Sequence, residues 1–82
     1  MNDVELLSAS AHIPSDEIER DIFDTHAEIA RMEMEAQYLE KTPLSMPDAR
    51  LNHMKAQARR TGIKEREEFI SKLQRILDLR KQ

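Results

Sequence analysis

The stretch Thr42-Pro43-Leu44-Ser45-Met46-Pro47 decides how this chain folds. Its two prolines bracket a turn, because proline cannot continue a helix interior. The charge changes sign at the same place. Residues 1–42 carry eleven Asp/Glu and three Lys/Arg, a net of −8, whereas residues 43–82 carry five and ten, a net of +5. An acidic arm joined by a short turn to a basic arm reads as an antiparallel hairpin whose arms attract each other.

The arms read as helices. With 35% charged residues and one glycine, the composition suits long helices or a coiled coil rather than a sheet. From Ser15 to about Lys41 nothing breaks a helix. Ser15 is placed to cap its start, with Asp16, Glu17 and Glu19 on the positive end of the helix dipole. Ile18, Ile22, Thr25, Ile29, Met32, Ala36 and Leu39 recur in steps of four and three, the spacing of a packed seam. After the turn, Ser45 and Asp48 have the spacing of a capping box, and Leu51, Met54, Ala58, Gly62, Phe69, Leu73 and Ile76 read as the second seam. Thr61-Gly62 could end a helix there and make a third one. The apolar phase crosses it without a reset, which favours one long helix from about 47 to 80 with Gly62 facing inward.

The expected fold is therefore all-α. It is an antiparallel helical hairpin over residues 15–82, preceded by a short arm or helix over residues 1–14. Val4, Leu6, Leu7 and Ile13 can pack that arm over the C-terminal end of the second helix.

A second apolar stripe on the first helix is left over. Phe23, Ala27, Ala30, Met34 and Tyr38 also recur at helical spacing, and at ~100° per residue they centre nearly opposite the first seam. A hairpin arm needs one apolar face, and this arm has two. Residues 1–13 or a folded-back 64–80 helix could cover the second. The reading preferred here is that a second copy or another protein covers it. Ile63, Ile70 and Leu77 form a heptad stripe beside the Phe69, Leu73 and Ile76 face.

Chemistry is poorly served by these residues. There is no cysteine, so disulfides, thiolate chemistry and thiolate-held metal are excluded. His12, His26 and His53 lack the Glu-x-x-His or His-Glu-x-x-His spacing of a metal helix, and the expectation is no metal, no cofactor and no catalytic residue. Carboxylate pairs such as Glu33/Glu35 and Glu67/Glu68 fall on expected exposed faces. One glycine cannot make a phosphate-binding loop. No apolar run reaches the ~20 residues of a membrane span, and residues 1–14 lack the pattern of a secretion signal, so a cytoplasmic protein is expected.

One alternative uses the basic arm. Arg59, Arg60, Lys64 and Arg66, with Lys55 beside them, could meet nucleic-acid phosphates. Against it stand the carboxylates of Lys64-Glu65-Arg66-Glu67-Glu68 and the overall charge of −3. Lys55, Arg59 and Arg66 can instead face an acidic flank of the first helix, such as Asp21, Glu28 and Glu35 or Glu19, Glu33 and Glu40. No family motif is recognised. The general shape resembles small phage and bacterial helical-hairpin proteins that modulate or sheathe other proteins, a likeness of shape that does not fix function. The expectation is a non-catalytic protein-binding module, self-associating or partner-bound, with Phe23, Ala27, Ala30, Met34 and Tyr38 as its contact face.

Overall fold

The computed structural model describes residues 2–82 and has three helices among them: α1 (Asp3–Ser10), α2 (Ser15–Glu40) and α3 (Ala49–Arg80). α2 packs along α3, and α1 packs on α3. The hairpin is antiparallel. Glu28 meets Arg66, Glu35 meets Arg59 and Thr42 meets Asn52, so partner numbers fall as α2 numbers rise.

The turn is held from both sides. Asn52 Nδ2 donates to Thr42 Oγ1 at 2.9 Å, and His53 Nε2 donates to the Thr42 carbonyl at 3.2 Å. The first turn of α3 thereby satisfies a carbonyl left over just past the end of α2. The capping box expected from Ser45 and Asp48 is not made: Asp48 precedes the helix without a side-chain cap, and backbone turns from Pro43 to Met46 and from Met46 to Ala49 lead in.

The α2 seam is as expected. Ile18, Thr25 and Ala36 are buried, and Ile22, Ile29, Met32 and Leu39 are half-buried. The α3 seam is corrected. Leu51, Met54 and Ala58 are exposed, and the residues facing α2 are the heptad column Ala49, Ala56, Ile63, Ile70 and Leu77. The reason is spacing. Near the turn the helices meet through Ala36, Ala49 and Ala56, all almost fully buried, and small side chains allow a close approach that Leu51 or Met54 would prevent. Farther along, Leu73 and Ile76 of the expected seam are buried after all.

α3 runs without a break through Thr61-Gly62, so the extra helix end does not occur. Gly62 is half-buried and faces α2. A Cβ built there would lie 2.7 Å from the Met32 methyl carbon, which shows how closely the methionine presses on the glycine backbone.

α1 is fixed at both ends to α3. Asn2 caps its start, accepting from the Glu5 N–H at 2.8 Å. Arg75 donates two hydrogen bonds to the Asp3 carboxylate, at 2.8 and 3.3 Å. At the other end Arg80 donates to the Ser10 carbonyl at 2.6 Å and to Ser15 Oγ at 2.9 Å. Ser15 therefore receives a cation's hydrogen bond instead of capping α2, whose start is set by extended Pro14. Between these ties Leu6, Ile13 and Ile22 pack on the cluster Ile18, Leu73, Ile76 and Leu77. The expected placement of the N-terminal segment over the end of the second helix holds.

The molecule measures 55 × 22 × 17 Å. Its radius of gyration is 17.2 Å, against ~12 Å for a compact domain of this length. It is an elongated rod, which positions the faces described next: among the described residues no helix packs on the side of α2 that faces away from α3.

Candidate partner-binding face

The outer face of α2 carries Phe23, Ala27, Ala30, Met34 and Tyr38, all exposed. Phe23 is 74%, Met34 72% and Tyr38 77% exposed, although large apolar side chains ordinarily dominate cores. The face lies opposite the seam because its residues sit about half a turn of helix away from Ile18, Thr25 and Ala36. Neither internal cover for it forms. α1 packs on α3, and residues 64–80 continue α3.

The stripe has small residues at its centre and large ones toward its ends. Tyr38 and Met34 also border an open groove of about 550 Å³, whose other wall is Lys55 and Arg59 of α3. The face is therefore apolar along its length, with cations at its edge near the turn.

A second apolar region reads as core in the sequence and is exposed in the structure. On α3, Leu51 is 53% and Met54 63% exposed, with Ala58 and Phe69 exposed on the same helix. At the turn, Leu44 and Met46 join Met54 around a hollow of about 500 Å³ with Arg50 and His53 at its edge. The signal that could have separated them is the Ala49, Ala56, Ile63, Ile70, Leu77 heptad. Two alanines make that column faint beside the bulkier Leu51 and Met54. The C-terminal end of the exposed stripe is the Leu73 and Ile76 region that α1 helps to cover.

The basic candidates turn toward α2. Arg59 pairs with Glu35 at 2.9 Å and Arg66 with Glu28 at 2.8 Å, as the acidic-flank reading expected. Arg60 meets Glu33 at 2.7 Å and also contacts Glu40. Its hydrogen bond holds the Glu33 carboxyl below the usual glutamate range. Lys64 is exposed and joins no ion pair among the described residues. Three of the four basic candidates are thus engaged by carboxylates of the neighbouring helix, which is what the split charge accomplishes.

Among the described residues, no group of three His, Asp or Glu side chains is placed to hold a metal ion. The carboxyls held low by their surroundings, Asp3 and Glu33, are each in an ion pair with an arginine. Among the described residues, no helix is long and apolar enough to cross a membrane. Comparison with protein-family models, curated proteins and solved structures finds no match to this chain.

Proposed function

We propose that this chain is a non-catalytic protein-binding module working in the cytoplasm, and that the outer face of α2 is its contact surface. The observation that carries this reading is the exposure of Phe23, Met34 and Tyr38 on one face of a rigid helix, each nearly three-quarters open to solvent. Contiguous apolar patches on small proteins mark interaction sites. Aromatic side chains supply much of the binding energy at such sites, which makes Phe23 and Tyr38 the anchors. Met34 adds an adaptable contact.

A double change of Phe23 and Met34 to Glu tests it. Neither residue is in the hairpin core, so helicity by circular dichroism should be unchanged. Association, with a second copy by sedimentation or with other proteins by affinity capture, should be lost. A variant that loses helicity, or keeps every wild-type association, defeats the proposal.

Nucleic-acid binding by Arg59, Arg60, Lys64 and Arg66 is the lesser reading. Phosphates would have to displace Glu35, Glu33, Glu40 and Glu28 from three of those four cations. Salt-dependent retention on generic duplex would reverse this preference, because phosphate contacts always leave that signature.

A further inference from the structure

We infer that the occupant of the α2 outer face is the same face of a second copy, laid antiparallel about a two-fold axis passing between Ala27 and Ala30. The inference rests on the reading of that face as a contact surface and says what fills it.

Four of the five residues of the face are self-complementary in one register. Along it run a large, two small and another large apolar residue: Phe23, Ala27, Ala30 and Met34. Placing Ala27 of one copy opposite Ala30 of the other puts Phe23 opposite Met34, twice by symmetry. Thioether against aromatic ring is a favourable contact. The alanines at the centre let the helix backbones come close.

Charge agrees with the same register. Asp24 and Arg31 flank the stripe on one side, both exposed, and neither joins an ion pair among the described residues. In the antiparallel register Asp24 of each copy faces Arg31 of the other. Asp16 and Lys41, at the two ends of α2, also come together. The one opposed pair is Glu19 with Glu40, and Glu40 already contacts Arg60 within its own chain. A parallel pairing does worse. In that geometry flanking positions meet five residues apart, which sets Glu19 against Asp24 and leaves Arg31 without an acidic partner.

The molecule as a whole exposes more surface than a compact one, shared between the outer sides of α2 and α3. The protein exposes 6246 Å². A compact monomer of its mass would expose about 5,100 Å². The excess, about 1,100 Å², compares with the ~800 Å² that each partner buries in a standard interface.

The test is a charge swap read by sedimentation equilibrium. Wild type should be a dimer at roughly 100 μM. Asp24→Arg alone and Arg31→Asp alone each oppose like charges at both symmetric sites. Each should weaken dimerisation by about tenfold or more, about 1.4 kcal/mol per tenfold. An equimolar mixture of the two variants should recover wild-type affinity. In the mixed dimer the arginine introduced in one copy faces the aspartate introduced in the other, and the native Asp24 and Arg31 that remain face each other. Both positions are exposed, and circular dichroism checks that the variants remain helical. A monomeric wild type overturns the inference and leaves the protein-binding reading to the Phe23 and Met34 variant. Dimers that persist through both single swaps, or a mixture that recovers nothing, overturn the antiparallel register.

Discussion

Gly62 lies where only side-chain ends, not the backbone of α2, would meet an added Cβ. Glycine in a helix interior costs ~1 kcal/mol relative to alanine. Here a Cβ would meet the Met32 methyl at 2.7 Å and Arg66 Nη1 at 3.3 Å. Both are far ends of flexible side chains, so both can yield. Gly62→Ala should therefore raise the midpoint of thermal unfolding by about 4–8 °C, the shift expected for ~1 kcal/mol in a domain of this size. A lower midpoint would mean that Met32 has nowhere to go. Gly62 faces inward as expected, although Leu51, Met54, Ala58 and Phe69, the seam neighbours that suggested it, are exposed. The role of Ser15 was not legible in the sequence. Local pattern made it a helix cap, and Arg80, at the other end of the chain, takes its hydroxyl instead. No local reading can anticipate a donor 65 residues away.

Each helix is fixed by a different kind of contact, and this separates α1 from the others. α2 and α3 share a continuous seam, whereas α1 has eight residues and is held by Arg75, Arg80 and a small apolar cluster. Arg75 lowers the Asp3 carboxyl below its ordinary value of 3.8, chiefly through their hydrogen bond. Released from α3, Asp3 binds a proton more readily than when docked. Docking is thus fully supported above that value and loses this support as pH falls through the lower, docked one. Hydrogen-exchange protection of the α1 amides should decline below about pH 4. Asp3→Asn should remove that pH dependence, and Arg80→Ala should reduce protection at every pH. Unchanged protection in all three cases would show that the apolar cluster alone holds α1. The packing site of the N-terminal segment was readable from Leu6, Leu7 and Ile13, whereas its form, arm or helix, was left open by the sequence. The phase of α3 was half readable: from Leu73 onward the expected residues are buried. Near the turn, volume outranked hydropathy, and a seam made of alanine is quiet in any reading weighted by apolar size.

For the whole molecule, the separation of −8 from +5 is undone by folding. The arms lie side by side, and the ion pairs of Arg59, Arg60 and Arg66 run along their border. Each exposed pair contributes only ~0–1 kcal/mol, so the pairs choose arm orientation more than they add stability. They share one sign of salt dependence. Raising sodium chloride toward 1 M shortens the screening length from ~10 Å to ~3 Å. The unfolding midpoint should then fall by a few degrees, and an increase would show that repulsion within each arm outweighs attraction between them. The hairpin itself was legible because turn, charge boundary and helical period all change at one place. The outer stripe was legible as a stripe, and its exposure followed only once α1 was seen to choose α3.

An elongated hairpin with an open outer side on α2 separates two kinds of inheritance. On α2, residues that hold the hairpin and residues that face outward occupy opposite sides, and no side chain of Phe23, Met34 or Tyr38 belongs to the core. Mutation can therefore rewrite one side while the other stays intact. A lineage built on this scaffold could rewrite its outer surface through five codons without passing through an unfolded ancestor.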